Sequence, residues 1–241
     1  MIYVESKKKS LKTIQKQYPN ATIIDVTSKG EEPWIKVSPF YPHGEIPIPF
    51  SEGHYGVSVE GIWQGLKVFE SEDIDPSKFQ ISSMKGIKRT VRKLGKPLGH
   101  RKGINGSELL DYLTARYKIY LTTYAWVLDN KAQQTIELLK VEAEKNDLVM
   151  LDFDTNGNLD DPRKPLSHAA LVKRYLEKKY PELATLTFQK SVPQEKLKER
   201  KVKKPRAKKA TRQKADTNKS SKPKKTLKSK KASDGTQLNL L

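Results

Sequence analysis

The spacing of apolar residues alternates along the chain between the periods of strands and of helices. Short apolar runs at residues 2–4, 22–26 and 148–151 predict strands, and the last of these is apolar enough to be buried. Apolar residues three or four positions apart predict helices at residues 11–18, 58–68, 84–94, 109–128, 136–141 and 169–176. The predicted fold class is α+β, a single helix-dominated domain with a few short strands.

The regular pattern ends near Leu186, and we place the domain boundary at residue 188. Residues 1–188 form the predicted domain. Residues 189–241 are too polar and charged to bury a core, so we expect a disordered tail. Within the domain, residues 27–57 hold five prolines and four glycines, which predicts an irregular segment of the kind that often carries binding groups.

The segment at residues 58–67 carries polar side chains at helical spacing among apolar ones. In a helix Glu60, Gln64 and Lys67 share one face, because successive residues are rotated by about 100°. Ser58 is the predicted N-cap, which places Glu60 in the first turn, where the helix dipole favours an ionised carboxylate. The polar face therefore either lines a cleft or forms a surface pair on an amphipathic helix.

Two short motifs resemble one known family. The sequence S-P-F-Y-P at residues 38–42 is followed by S-V-E at residues 58–60, by Gln64 and by Lys67. This combination resembles the NADAR (NAD- and ADP-ribose-associated) family, whose founding members are related to a riboflavin-pathway N-glycosidase.

Weaker similarity to the same family covers residues 34–160. The family usually has a strand-like segment, matched here by residues 148–154, that leads to an acidic residue and a Trp-Gly pair. This sequence departs from that pattern, because Phe153 and Gly157 are not adjacent and no Trp-Gly pair is present.

The resemblance implies an N-glycosidase-like hydrolase that acts on a ribosyl N-glycosidic bond, in an ADP-ribosyl adduct or a nucleotide-like substrate, without a cofactor. Breaking that bond develops positive charge on the sugar, which an ionised Glu60 would stabilise, or Glu60 would activate water. Glu60 and Lys67 are the predicted catalytic residues. The predicted substrate-binding residues are Tyr41, Trp63, Gln64, His100, Arg101, Asp152 and Asp154.

Other motifs leave two interpretations open. Residues 95–103 combine glycines with basic side chains, which fits either a phosphate contact or a solvated turn. Residues 152–157 match the opening of an EF-hand loop, but Arg163 replaces the bidentate glutamate, which favours a turn over calcium binding. The four histidines show no metal-ligand spacing, so no metal site is predicted.

The positive charge is concentrated in the tail. Residues 190–241 hold 19 of the 47 basic residues and 4 of the 28 acidic ones, so they carry +15 of the net charge of +19. Such a tail is either a solubilising linker or a polycation that binds nucleic acid without reading its sequence. The predicted nucleic-acid contacts are Lys203, Lys204, Arg206, Lys208, Lys209, Lys224 and Lys225.

The last five residues restore apolarity to the polar tail. They read Q-L-N-L-L and resemble the Q-L-x-L-F peptide with which bacterial proteins bind the sliding clamp of DNA replication, with Leu241 in place of the aromatic residue. The predicted clamp contacts are Gln237, Leu238, Leu240 and Leu241. The alternative function is thus a non-catalytic nucleic-acid-binding protein or a replication-associated adaptor.

The chain has no cysteine and no apolar run that approaches a membrane span, so we expect neither disulfides nor membrane contact. The predicted location is cytoplasmic, or nuclear if the host is eukaryotic.

A shortened chain that ends at Leu186 should lose most sequence-independent nucleic-acid binding, because it lacks the segment with most of the net charge. Affinity of the full chain for DNA and RNA should fall steeply with salt, as measured by fluorescence anisotropy. Equal affinity of the two chains at moderate salt would show that the tail is not responsible.

Overall fold

A computed structural model describes residues 1–182 of the protein and the backbone of Ser191–Val192. The strands are β1 (Ile2–Ser6), β2 (Thr22–Asp25), β3 (Ile46–Pro47), β4 (Tyr55–Gly56), β5 (Lys67–Phe69), β6 (Pro97–Arg101), β7 (Leu109–Leu110), β8 (Leu148–Asp152) and β9 (Ser191–Val192). The α-helices are α1 (Leu11–Gln17), α2 (Val59–Leu66), α3 (Val91–Leu94), α4 (Tyr112–Ala115), α5 (Thr122–Asn130), α6 (Gln133–Lys145) and α7 (His168–Leu176). A π-helix, Arg116–Leu121, joins α4 to α5, and 3₁₀-helices span Trp34–Val37 and Pro76–Gln80.

A three-stranded parallel sheet positions one side of the candidate site. Strand β8 lies between β1 and β2 and is parallel to both, with Leu148 opposite Ile2 on one side and Thr22 on the other. Every residue of β8 is buried, as expected for the central strand of a parallel sheet. Since the three strands run in the same direction, their carboxyl ends meet at one edge, where Asp25 and Asp152 lie.

A second sheet is antiparallel with the order β5-β6-β7-β9, and β3 and β4 make a separate two-stranded sheet. The segment at residues 95–103, for which a phosphate contact and a solvated turn were both open, supplies β6, so most of it is a strand. Gly99 lies in β6 with φ +152°, and a Cβ there would meet the Leu110 carbonyl oxygen at 2.3 Å. A glycine is therefore required where β6 approaches β7.

Helix α2 begins at the predicted Ser58 cap but ends at Leu66, so Lys67, which was predicted to lie on the same helix, is the first residue of β5. The Ser58 hydroxyl caps it by accepting from the Gly61 N–H at 3.0 Å, and all eight residues of the helix are buried. A Cβ at Gly65 would lie 2.1 Å from Phe79 Cε1, and one at Gly61 would lie 2.7 Å from the Lys78 carbonyl oxygen. The two glycines thus allow the 3₁₀-helix that contains Phe79 to pack directly on α2.

The α+β class is confirmed, and two further predicted helices have the wrong extent. The helix predicted for residues 84–94 is limited to α3, because the Arg89 N–H bonds to the side chain of Gln64 and so does not close a helical turn. The stretch at residues 109–128 begins as strand β7, because Leu109 and Leu110 pair with β6 before the helix starts at Tyr112.

The predictions for the tail, its basic residues, its terminal peptide and the boundary at residue 188 lie outside the described residues. Of the helices that the structure describes, none combines the length and the apolarity needed to cross a bilayer.

Gly65→Ala should lower the free energy of unfolding by up to about 2 kcal/mol. The new methyl group must displace the Phe79 ring, and overpacking of this kind costs about 1–3 kcal/mol, which outweighs the gain in helix propensity of about 1 kcal/mol. Urea unfolding measures the difference. The matched control is Gly157→Ala, whose Cβ would meet its nearest neighbour at an ordinary 3.4 Å, and equal stability of the two variants would contradict the account.

Candidate functional site

A cavity of about 300 Å³ lies between α2 and the carboxyl edge of the parallel sheet. Helix α2 contributes Glu60, Trp63 and Gln64 to its wall, and Lys67 follows from the start of β5. The residues at 38–40, the helix from residue 112 to 120 and the chain after β8 close the other sides. Residues from the two motifs of the NADAR resemblance, which 15 residues separate in the sequence, therefore line one cavity.

Glu60 is a carboxylic acid held at the wall of this cavity. Its side chain is largely buried, and Oε1 accepts from Gln64 Nε2 at 2.9 Å. Within the described part of the chain, no hydrogen bond is made by Oε2. The backbone N–H of Glu60 donates to the Pro39 carbonyl at 2.9 Å, which ties α2 to the first motif.

Burial raises the pKa of Glu60 above its ordinary value, against the lowering effects of Gln64, Lys88 and Lys67. The sequence predicted the opposite direction from the position of Glu60 in the first helical turn. That prediction is wrong, because removal of the carboxylate from water outweighs the helix dipole and the nearby cations.

Two lysine ammonium groups face the cavity without a carboxylate within ion-pair distance among the described residues. Lys67 Nζ lies 5.6 Å from the centre of the Trp63 ring, and Lys88 Nζ lies 5.4 Å from that of Phe40. Burial lowers the pKa of Lys67, and Glu60 partly offsets that effect. The cavity thus holds positive charge that a bound anion would stabilise.

Aromatic rings fix the orientation of Trp63. His100 stacks on its indole with ring centres 3.6 Å apart, and Tyr120 meets it edge-on at 5.7 Å. His100 is fully buried, neither of its ring nitrogens has a hydrogen-bond partner among the described residues, and burial holds its pKa well below 6.5. His100 is therefore a neutral ring that supports Trp63 from behind, outside the cavity lining.

The π-helix presents a cation that the sequence analysis missed. Arg116 is 2% exposed and lines the cavity, and its guanidinium donates to the carbonyls of Leu159 at 2.6 Å and Asp161 at 2.9 Å. These bonds hold the segment that follows β8 against the cavity. Tyr112, Arg116 and Tyr120 recur at every fourth position, and this spacing among aromatic residues is the signal that could have found Arg116.

Asp152 is a structural acid at the end of β8. Its Oδ2 accepts from Ser167 Oγ at 2.7 Å and from the Ala169 N–H at 3.2 Å, and it lies 3.0 Å from His168 Nδ1. Its Oδ1 accepts from the Phe153 N–H at 2.7 Å. With both oxygens occupied, Asp152 organises the cavity wall and is not free to react.

His168 joins Asp152 to the parallel sheet. Its Nε2 donates to the Val26 carbonyl at 2.8 Å, so a second proton is needed on Nδ1 to bond to Asp152. Although burial opposes it, this partner raises the pKa of His168, and the imidazolium in turn helps to lower the pKa of Asp152 against the effect of burial. The pair links α7 to the ends of β2 and β8.

The structure brings together six of the nine predicted site residues. Glu60, Trp63, Gln64, Lys67, Asp152 and Asp154 line the cavity.

The other three lie outside the lining. Tyr41 donates to Glu32 at 3.1 Å, Arg101 donates to Asp73 at 2.6 Å, and His100 is behind Trp63. Their side chains are engaged within the protein, which removes them from the candidate site.

No group of three or more His, Asp and Glu side chains in the described part of the chain could hold a metal ion.

A family model described as a family of unknown function (DUF6939) matches residues 6–172, a span that includes every residue lining the cavity. No curated protein and no solved structure shows significant similarity to the chain.

Stability between pH 6 and 9 should report on the Asp152–His168 pair. Because the folded pKa of His168 is raised, its contribution is complete below about pH 6.5 and is lost as the pH rises through the folded value. Because the folded pKa of Asp152 is lowered, its contribution to stability is complete above about pH 4 and is lost as the pH falls below that value.

Urea unfolding at a series of pH values measures this dependence. Asp152→Asn should be less stable than the wild type and should lose the decline in stability above about pH 6.5. Asp161→Asn, which removes the carboxylate partner of the exposed Arg163, is the control and should keep that decline. The same pH slope in wild type and Asp152→Asn would contradict the assignment.

Proposed function

The chain belongs to the DUF6939 family, whose function is unknown, and from its cavity we propose an N-glycosidase-like hydrolase that cleaves a ribosyl N-glycosidic bond. The substrate is an ADP-ribosyl adduct or a nucleotide-like compound. The observation that carries the proposal is the buried Glu60 carboxyl, which presents an oxygen without a hydrogen-bond partner to a cavity lined by an indole ring and lysines.

Glu60 suits the chemistry of this bond. Departure of the base leaves positive charge shared between the anomeric carbon and the ring oxygen of the sugar, and a carboxylate beside them stabilises that charge. The base leaves with the electron pair of the bond and takes up a proton, while water adds to the anomeric carbon and loses one. A carboxyl whose pKa is raised by burial is a better acceptor for that proton than an ordinary glutamate.

Lys67 and Lys88 suit the phosphate groups of the proposed substrate. Ammonium groups bind phosphate oxygens through charge-assisted hydrogen bonds, and these two have no competing carboxylate in the described structure. A bound phosphate would also stabilise the ammonium of Lys67, whose pKa burial lowers. Lys67 would therefore act mainly on the substrate.

Asp154 and the aromatic wall suit the remaining parts of a nucleoside. Asp154 lines the cavity and makes no hydrogen bond among the described residues, so its carboxylate is available to accept from ribose hydroxyls. The rings of Phe40, Trp63 and Tyr120 offer apolar surface for a base or a sugar face. The resemblance to the NADAR family supports the same substrate class, since its two motifs supply Phe40, Glu60 and Lys67.

Sequence-independent nucleic-acid binding through residues 189–241 is a separate proposal, supported by their positive charge. It does not depend on the cavity, so either activity can fail without the other.

Glu60→Gln should reduce turnover by about a hundredfold or more, because it keeps the shape of the side chain and removes its charge and basicity. The measurement is release of free base or ADP-ribose from a panel of ADP-ribosylated and related N-ribosyl compounds. The matched control is Glu5→Gln, which changes another buried glutamate, on β1, that pairs with Lys9 and lies outside the cavity lining.

Two outcomes would contradict the proposal in different ways. Wild-type activity that survives in Glu60→Gln would remove the role of this residue. Inactivity of the wild type on the whole panel would remove the N-glycosidase proposal itself.

A further inference from the structure

Gln64 lies at the centre of a chain of hydrogen bonds whose direction is fixed. The backbone N–H of Arg89 donates to Gln64 Oε1 at 3.1 Å, and Gln64 Nε2 donates to Glu60 Oε1 at 2.9 Å. An amide flip would place the NH₂ group against the Arg89 N–H and the amide oxygen against the carboxylate. Both contacts would be repulsive, so only one orientation of the amide fits.

Arg89 is itself held firmly enough to impose this orientation. It is 8% exposed, and its guanidinium donates to the carbonyls of Gln64 at 3.3 Å and of Asp73 at 2.7 Å, to the carbonyl of Lys67 and to the carboxylate of Glu72 at 3.0 Å. These bonds fasten residue 89 to the carboxyl end of α2. The backbone N–H that contacts Gln64 is therefore part of a rigid frame.

We propose that Gln64 is a positioning residue for Glu60, whose fixed amide occupies Oε1 and leaves Oε2 as the oxygen that exchanges a proton with the occupant of the cavity. The functional role of this proton exchange rests on the proposed hydrolase activity, whereas the hydrogen-bond geometry of Gln64 and Glu60 does not depend on it. When Glu60 is protonated, Oε1 still accepts from the amide, so the proton resides on Oε2. This role differs from the contact with the substrate that the sequence predicts for Gln64.

The hydrogen bond from Gln64 also favours the ionised form of Glu60. It opposes burial, which raises the pKa, and it acts with the nearby cations Lys67 and Lys88. Tyr120 faces the same carboxyl, and its own pKa is raised well above 10, so it remains neutral across the working range. Gln64 is the neighbour that can be changed without altering the charge of the cavity.

The test is a carbon-13 NMR titration of the Glu60 carboxyl in the full-length protein, with the signal assigned by its loss in Glu60→Gln. Gln64→Met removes the donor and keeps the length of the side chain, and it should raise the measured pKa of Glu60 by about 1. Gln64→Glu is close to isosteric and should raise the first pKa of the carboxyl pair further, because two adjacent carboxyls share one proton.

The control is Gln17→Met, which removes a different glutamine whose amide donates to Glu5 Oε1 at 3.3 Å, and it should leave the pKa of Glu60 unchanged. A second measurement, of the Gln64 side-chain amide protons, uses the wild type and so does not require that a variant folds. One of the two side-chain amide protons of Gln64 should shift with the same midpoint as the Glu60 carboxyl. An amide proton that does not follow Glu60, or a Glu60 pKa that is the same in Gln64→Met, would overturn the proposal.

If the wild type is active, steady-state kinetics of Gln64→Met distinguish a positioning role of Gln64 from a direct contact with the sugar. Positioning predicts that Gln64→Met shifts the pH midpoint of kcat/KM with the Glu60 pKa and changes KM less than about twofold, whereas lost uniform binding to the sugar raises KM at constant kcat. The latter result would also overturn the proposal. If the wild type is inactive on every substrate but the predicted NMR shifts are observed, the hydrolase proposal fails and the positioning role of Gln64 stands.

Discussion

The burial of a carboxyl group on a tightly packed helix is the constraint on which the rest of this structure depends. An uncompensated carboxylate in a protein interior costs several kcal/mol, so Glu60 is tolerated only where its surroundings are fixed. The Ser58 cap and the Pro39 carbonyl hold the start of α2, and the Arg89 guanidinium holds its end. The Gln64 amide then satisfies one oxygen of the acid and leaves the other to the cavity.

The cavity also depends on a second set of contacts at the carboxyl edge of the parallel sheet. The imidazolium of His168 joins the end of β2 to Asp152 at the end of β8, and Arg116 holds the segment that follows β8. These contacts use backbone carbonyls and the carboxylate of Asp152, whose two oxygens already accept hydrogen bonds. They therefore shape the cavity wall without engaging Glu60, Lys67 or Lys88. Structural and reactive charges are thereby separated within one site, and a change in pH acts on the wall and on the acid through different groups.

Local signals in the sequence account for the parts of the fold and site that could be predicted. The cap at Ser58, the shared face of Glu60 and Gln64 and the buried strand β8 each depend on residues close together in the chain. The short strands β3, β4 and β7 could not be found, because two-residue strands have no detectable period.

The direction of the Glu60 pKa shift could not be predicted from the sequence, because it depends on burial, and tertiary packing determines burial. Arg116 was missed because its four-residue spacing from Tyr112 and Tyr120 predicts a shared helix face, but not that this face lines a cavity. His100 and Arg101 were placed in the site because a glycine-rich basic segment resembles an anion-binding turn. Gly99 instead serves the close approach of two strands.

The central claim is that the cavity is a site in which Glu60 meets the anomeric carbon of a ribosyl group. A crystal structure of the Glu60→Gln variant with ADP-ribose tests it most directly. The account predicts that the anomeric carbon lies about 3.5 Å or less from the side-chain amide of residue 60, with phosphate oxygens on Lys67 or Lys88. ADP-ribose bound elsewhere on the protein, or a cavity that stays empty at saturating concentration, would contradict the account.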